Sequence, residues 1–259
     1  MTKRSWLTSS RSAAILLPVL GLFAAIGLWW LAVVVFAIEP FLLPSPGDVV
    51  TSFLDQPGFL LKQTGVSFVE TIGGFFLAIA TGVPIALLIV RSVLVERLLY
   101  PLMLAVNAIP KIAIAPLLVV WMGFGSWPKA VMVLLVCFFP IVISTATGMK
   151  STPVELVELL RSLNASKTQE FFRLRIIYAL PQIFTGLKVA ISLAVIGSVI
   201  AEFVGATGGL GYVIQSSGSS ADTALAFAGI TLLSIMSIVL FYALVALEHY
   251  LLPWARENR

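Results

Sequence analysis

Long runs of apolar residues alternate with short polar segments along this chain. Six of the runs reach the ~20 helical residues needed to cross a hydrocarbon layer of about 30 Å. They cover residues 13–38, 67–90, 98–122, 128–147, 182–204 and 224–247. The third run contains Pro101, Pro110 and Pro116, so we expect its helix to be broken. The pattern predicts an all-α membrane protein with six transmembrane helices.

The segment between the first two runs reads EPFLLPSPGDVVTSFLDQPGF and is rich in proline and acidic residues. It predicts an extended stretch followed by a short interfacial helix. We expect one transmembrane domain over residues 13–250, with short terminal segments at residues 1–12 and 251–259. Within that domain, the polar stretch at about 150–181 stands out.

Composition agrees with a protein of the bilayer. Hydrophobic residues make up 59% of the chain and charged residues only 11%, against about 45–50% and roughly 25% in soluble domains. The net charge is +4, but the basic residues form no dense tract, so nucleic acid is not an expected partner.

The distribution of positive charge predicts the orientation of the chain. If both termini are cytoplasmic, thirteen of the 16 lysines and arginines lie on the cytoplasmic side. Lys62 and Lys129 then lie outside, and Lys111 falls within a span. The positive-inside rule therefore favours cytoplasmic termini.

The polar stretch reads as two short amphipathic helices joined by a tight turn. Thr152–Glu155 has the spacing of a capping box with proline at the first helical position, and Ser166–Gln169 has a second one. Between them, Asn164 suits the left-handed position that ends a helix. The first helix carries one apolar stripe, formed by Leu156, Leu159, Leu160 and Leu163.

Such a hairpin has two interpretations from its residues alone. A basic amphipathic linker can rest on anionic lipid, whereas a projecting helical hairpin can dock into a groove of a protein partner. The careful start and stop of two helices around one turn favours docking.

Part of this stretch resembles the EAA loop of bacterial binding-protein-dependent ABC importer permeases. The matching residues are Glu158-Leu159-Leu160, then Asn164, and the closing Ala179-Leu180-Pro181. Leucines replace the alanines of that loop, and Asn164 replaces its glycine. Four more segments look like the nitrate/sulfonate/taurine group of these permeases: LPSP (43–46), NAIPKIAIAPLLVVWMGFG (107–125), FFPIVISTATGMK (138–150) and AEFVGATGGLGYVI (201–214).

The resemblance implies a type I ABC importer permease of the bacterial inner membrane. Such a chain pairs with a second copy of itself, a cytoplasmic ABC ATPase dimer and an external solute-binding protein. ATP and Mg would be bound by the ATPase, so this chain is expected to hold no cofactor, metal or catalytic residues. Transport of a small solute would follow alternating access. The hairpin residues implied to dock on the ATPase are Glu158, Arg161, Leu163, Asn164, Ala165 and Ser166.

Two points about individual charges stay open. Glu158 and Arg161 could contact the ATPase or pair with each other. Charged groups within spans are candidates for function because burial in lipid is expensive, and Asn107, Lys111 and Glu202 are the candidate pathway residues. Lys111 could attract an anionic solute, although we favour a structural role for it; Glu202 could simply reach the interface.

A rival hypothesis from another class is a self-sufficient secondary transporter or channel. That class favours several acidic or histidine residues at mid-bilayer and needs no docking hairpin. The chain has a single histidine and few such groups, so the ABC permease remains the preferred prediction. A membrane-embedded enzyme would need a clustered nucleophile and base or a metal set, and the sequence offers neither.

Overall fold

The computed structural model describes residues 11–256, and the regular structure in this range is helical throughout. Of the predicted terminal segments, 1–12 and 251–259, residues 1–10 and 257–259 lie outside the described residues. The helices of the described range are α1 (Arg11–Val35), α2 (Pro46–Asp55), α3 (Pro57–Arg91), α4 (Val93–Ala108), α5 (Lys111–Met122), α6 (Ser126–Lys150), α7 (Val154–Ser162), α8 (Lys167–Glu170), α9 (Ile176–Glu202), α10 (Leu210–Ser219) and α11 (Thr223–Leu251).

The predicted six spans are present. Five helices are long and apolar enough to cross a membrane, and α4 with α5 forms a sixth unit bent by 94° at a short break. The break falls at Ile109 and Pro110, whereas Pro101 and Pro116 lie inside α4 and α5. The expectation that all three prolines interrupt this span was therefore wrong at two of them.

The segment that follows α1 contains the short helix expected from its sequence. Helix α2 begins after Ser45, whose hydroxyl accepts from the amide of Asp48, while the Asp48 carboxylate accepts from the amide of Ser45 at 2.8 Å. This reciprocal capping box has proline at the first helical position.

Helix α6 lies at the centre of the bundle, packed between α3 and α9. The main core is built where these helices meet α11, from Phe75 and Ala78 of α3, Val133, Cys137 and Ile141 of α6, Ala190, Ile191, Ala194 and Val195 of α9, and Leu233, Met236 and Leu240 of α11. Small residues at such contacts let helix backbones approach closely within a membrane.

Two glycines show how close this approach is. A Cβ atom at Gly186 of α9 would collide with the side chain of Ser144 on α6. A Cβ atom at Gly148 of α6 would lie 3.0 Å from the carbonyl oxygen of Ala179 on α9. Both contacts leave no room for a side chain, so glycine sets the distance between α6 and α9.

Helix α1 packs only weakly against the rest of the bundle. Between residues 16 and 35, where its side chains are described, none is buried. Its contact with the rest of the bundle includes α2 and the stacking of Trp29 on Phe227, with ring centroids 5.7 Å apart. An apolar helix exposed over most of its surface is compatible with lipid and with a further protein surface.

The second helix of the predicted hairpin is not a short separate element. Helix α8 runs through a π-helical turn, Phe171–Arg175, directly into α9. Together they form one helix of 36 residues from Lys167 to Glu202. The second helix of the hairpin is therefore the first part of the fifth span. This long helix begins at the capping box of Ser166.

We expect Gly186→Ala to destabilise the bundle. The added methyl group overpacks the contact with Ser144, and overpacking typically costs about 1–3 kcal/mol. The thermal unfolding midpoint in detergent should fall.

The matched control is Gly73→Ala, since Gly73 is also helical and an added Cβ atom meets nothing within 4 Å. This variant should be neutral or slightly stabilising, because alanine favours helix over glycine. Equal midpoints for the two variants would contradict the close packing of α6 and α9.

Candidate functional site

The end of helix α7 folds as the sequence predicts. Asn164 adopts a left-handed conformation with φ +56°. The amide of Ala165 donates to the carbonyl of Leu160 at 3.0 Å, and the amide of Asn164 donates to that of Arg161, also at 3.0 Å. These two bonds form a Schellman motif, which satisfies carbonyls that a helix end leaves free.

The next helix starts with the predicted capping box. The hydroxyl of Ser166 accepts from the amide of Gln169 at 3.3 Å, and the side chain of Gln169 accepts from the amide of Ser166 at 2.9 Å. Only Ala165 therefore separates the left-handed residue from the next helix cap. The turn is short and fully bonded.

The capping box predicted at Thr152 was wrong. Pro153 itself occupies the N-cap position in an extended conformation, and no side chain caps the helix there. Glu155 is therefore one residue too early to complete the box. The hydroxyl of Thr152 instead donates to the carbonyl of Met149, at the end of α6, at 3.3 Å.

Most of the leucine stripe of α7 faces away from the bundle. Leu156, Leu159 and Leu163 are all exposed, and Leu163 is 69% exposed. Val157, on the opposite side of the helix, is buried. The hairpin is thus anchored by one apolar face and presents a second one.

Arg161 pairs within the chain with a residue other than Glu158. Its Nε atom lies 3.2 Å from Oε2 of Glu170, and Arg175 binds Oε1 of the same carboxylate through Nη2 at 2.7 Å. Glu170 is buried, whereas Glu158 is exposed on α7. The alternative of a Glu158–Arg161 pair is therefore not the arrangement found.

Glu170 was missed in the sequence because its spacing is unusual. It lies nine residues after Arg161 and five before Arg175. In an α-helix, side chains meet when they are three or four residues apart, so neither spacing predicts a contact. The ring of Phe171, next to it, lies under the guanidinium of Arg91, with 5.7 Å from Cζ to the ring centroid. The hairpin thus touches the end of α3 as well.

Lys111 lies at the break between α4 and α5. Its ammonium donates to the carbonyls of Asn107 at 2.6 Å and of Val106 and Ile109 at 3.2 Å each. The last carbonyls of a helix have no α-helical partner, and of these three the carbonyl of Val106 also accepts from the amide of Ile109, at 3.3 Å. The bonding supports the structural interpretation of Lys111, while the Asn107 side chain beside it is exposed.

Glu202 lies elsewhere, at the end of the bundle opposite the hairpin, and is fully buried. Its Oε1 atom accepts from the hydroxyl of Ser67 at 2.6 Å and its Oε2 atom from the amide of Gly211 at 2.5 Å. The interpretation that Glu202 simply reaches the membrane interface was therefore wrong, because its side chain is fully buried. The structure therefore does not bring the three candidate pathway residues together.

The carboxylate of Glu202 belongs to a set of acceptors at the start of α10. Gln63 accepts from the amide of Gly209 at 2.7 Å, and Ser67 accepts from the amide of Leu210 at 2.8 Å. With Gly211, three successive amides at this helix start are bonded by side chains of α3 and α9. Negative charge is favourable at a helix N-terminus.

Buried ion pairs occur at both ends of the bundle. Lys129 of α6 binds Glu70 of α3 at 2.6 Å, and Lys188 of α9 binds Glu248 of α11 at 2.8 Å. The charge pattern assigned both lysines to the aqueous sides of the membrane, but their side chains are only 12% and 14% exposed. Among residues 11–256, no group of three or more His, Cys, Asp or Glu side chains is placed to hold a metal ion.

A family profile matches residues 74–257, which include the hairpin and its neighbouring spans. The profile describes the inner membrane component of binding-protein-dependent transport systems. The chain belongs to this family. It is a multi-pass membrane permease subunit of an ABC importer, and the rival prediction of a self-sufficient transporter or channel is wrong.

Individual relatives agree with this assignment. The chain is 38% identical to the formylaminopyrimidine transport permease protein ThiX of Halalkalibacterium halodurans, over 85% of this chain and 88% of that one. It is 30% identical to the taurine transport system permease protein TauC of Escherichia coli, over 88% and 86%.

The fold is also shared with a solved structure. The chain superposes on an inward-facing MetNI methionine ABC transporter with a TM-score of 0.65 and 19% identity, covering 74% of this chain and 96% of that one. The predicted type I importer fold is therefore confirmed.

We expect Glu202→Ala to lower the stability of the permease. The change leaves the amide of Gly211 and the hydroxyl of Ser67 without their acceptor, at about 1–3 kcal/mol for each buried group left unsatisfied. The thermal unfolding midpoint in detergent should fall.

Glu39→Ala is the control, because Glu39 is exposed. Its midpoint should match that of the unchanged chain. A Glu202→Ala variant as stable as Glu39→Ala would contradict the role of this carboxylate at the start of α10.

Proposed function

We propose that two copies of this chain form the pathway of an ATP-driven importer and that the hairpin of α7 and α8 docks on a cytoplasmic ABC ATPase. The observation that carries the proposal is the exposed leucine edge of α7, held on a turn whose two ends are both capped. The docking residues are Glu158, Arg161, Leu163, Asn164, Ala165 and Ser166.

The orientation follows from the same proposal. The span pattern assigns thirteen of the 16 lysines and arginines to the hairpin side of the spans. By the positive-inside rule this supports the hairpin side as the cytoplasmic one. Both termini are then cytoplasmic. The segment with α2 and the start of α10 face the external binding protein.

ATP hydrolysis belongs to the partner in this scheme. Closure of the ATPase dimer would pull on the two hairpins, and each hairpin continues without a loop into α9. The motion reaches the spans through this helix, so that the pathway opens outward when the binding protein releases its solute. A short, fully bonded turn transmits such a force better than a flexible loop.

The solute is a small organic molecule delivered by the binding protein. A formylaminopyrimidine is the first candidate, because the relative with that assignment is 38% identical over most of both chains. Taurine is the next candidate, at 30% identity. Within the permease, Asn107 is our first pathway candidate because its exposed side chain lies beside the break at Pro110.

The hydrogen bonds of Lys111 and Glu202 favour a structural role for both residues over a role in the solute pathway. The ammonium of Lys111 stabilises the end of α4, and the carboxylate of Glu202 stabilises the start of α10. The Asn107 side chain is exposed, and its Oδ1 atom lies at 3.5 Å from Nζ of Lys111. Asn107→Ala should therefore lower uptake of solute in proteoliposomes more than it lowers the thermal unfolding midpoint.

Docking predicts a specific effect of Asn164→Val. A β-branched residue in the left-handed conformation is strained by about 1–3 kcal/mol, so the turn should rearrange. Association of the ATPase, measured by copurification, should fall, together with binding-protein-stimulated ATP hydrolysis and uptake in proteoliposomes. Insertion into the membrane should be unchanged.

The control for this experiment is Asn164→Gly, because glycine adopts positive φ without strain. It should keep association and uptake. Equal ATPase association for the valine and glycine variants would show that the hairpin is not the docking element.

The solute can be identified by isothermal calorimetry on the cognate binding protein. We expect binding of a formylaminopyrimidine and none of taurine. The opposite order would move the assignment to the sulfonate transporters and would leave the importer proposal intact.

A further inference from the structure

The π-helical turn at Phe171–Arg175 joins the hairpin to the fifth span. The amide of Ile176 donates to the carbonyl of Phe171, five residues earlier instead of four. π-Helical turns are rare and often occur at functional sites. This one lies where a force on the hairpin has to enter the span.

The pairing of Glu170 with Arg175 depends on this turn. In an α-helix, residues five apart lie about 140° apart around the axis, so their side chains point in different directions. The wider turn brings them together: Nε and Nη2 of Arg175 both reach Oε1 of Glu170, at 2.9 Å and 2.7 Å. If the turn became α-helical, this pair would break.

The other oxygen of the same carboxylate holds the first helix of the hairpin. Oε2 of Glu170 accepts from Nε of Arg161 on α7 at 3.2 Å. One buried carboxylate therefore binds α7 with one oxygen and the π-helical turn with the other. Hydrogen bonds between charged groups are stronger than those between neutral ones.

We infer that Glu170 is a positioning residue, which locks the orientation of α7 to α9 by holding the π-helical turn between them. The inference rests on the proposed docking of the hairpin on the ATPase. Glu170 does not take part in docking itself, because its side chain is buried. With the lock in place, rotation of α7 is passed to α9; without it, α7 moves on its own.

Loss of this lock should weaken the coupling of ATP hydrolysis to transport and leave binding of the ATPase unchanged. Glu170→Gln keeps the size of the side chain and removes its charge, so both arginines lose their ionic partner. Arg161 is the one docking residue that loses a bond to the Glu170 side chain. The other five do not bond this side chain, so the ATPase should still bind and hydrolyse ATP. Fewer hydrolysis cycles should then move the spans and transport a solute molecule.

The test uses the complete complex of permease, ATPase and binding protein in proteoliposomes. We expect the ratio of solute taken up to ATP hydrolysed to fall at least fivefold for Glu170→Gln, with copurification of the ATPase unchanged. The matched control is Glu155→Gln, an exposed acid on α7. It should keep the ratio of the unchanged chain.

A second readout follows the orientation of α7 directly. Spin labels at Val154→Cys and Tyr178→Cys, both exposed positions, report the distance between α7 and α9 by pulsed electron paramagnetic resonance. Cys137 is replaced by alanine in this background, so that only the two introduced cysteines carry label. The distance distribution should be narrow in the unchanged chain and clearly broader in Glu170→Gln.

The outcomes separate this inference from the proposed function. An unchanged uptake ratio and an unchanged distance distribution in Glu170→Gln would overturn the role of Glu170, while uptake by the unchanged complex still supports the importer. If the unchanged permease neither binds the ATPase nor takes up solute, the docking proposal itself fails. Loss of ATPase binding in Glu170→Gln alone would also overturn the inference, since Glu170 would then act on docking, through Arg161, and not on the coupling of α7 to α9.

Discussion

Hydrocarbon offers no hydrogen bonds, so every helix end within the membrane must bring its own partners. Much of the polar chemistry of this permease serves that constraint. At the break after α4, the ammonium of Lys111 donates to the carbonyls of the last turn. At the start of α10, side chains of Gln63, Ser67 and Glu202 take up three successive amides. Interrupted helices are possible here because the partners come from neighbouring spans.

The same constraint explains why the core is built from small residues. With lipid on the outside, apolar contact alone does not draw helices together, and close backbone packing has to supply the attraction. Gly148 and Gly186 allow α6 and α9 to pack closely, and the polar bonds of Thr71 to Ser198, at 3.0 Å, tie α3 to α9 in the same interior. Helix α1 has no such contacts between residues 16 and 35, and it stays at the edge of the bundle.

Much of this arrangement could be predicted from the sequence. Span positions follow from apolar length, and the caps at Asn164 and Ser166 follow from local chemistry that needs no distant partner. The break at Pro110 was predicted as well. Pro101 and Pro116 were misjudged because a transmembrane helix tolerates proline when neighbouring groups bond the freed carbonyls.

What could not be predicted depends on residues far apart in the chain. Ser67 and Glu202 are 135 positions apart, and nothing local to either indicates the other. A signal did exist in α3, where Gln63, Ser67 and Thr71 recur every four residues and so define one polar face of an apolar helix. Glu170 gave no such signal, because its pairing with Arg175 requires a π-helical turn that sequence spacing does not indicate.

The two ends of the bundle hold their polar groups in different ways. At the end with α10, buried side chains bond buried backbone amides, and each bond is expensive to break because no water replaces it. At the hairpin end, Arg161 is largely exposed and Lys150 binds Glu96 at 2.5 Å with both side chains partly in solvent. Exposed ion pairs contribute only about 0–1 kcal/mol and can exchange with water. The exposed part of the hairpin can therefore rearrange at low cost, and Glu170, the one buried carboxylate in the hairpin, decides how far such a rearrangement reaches into α9.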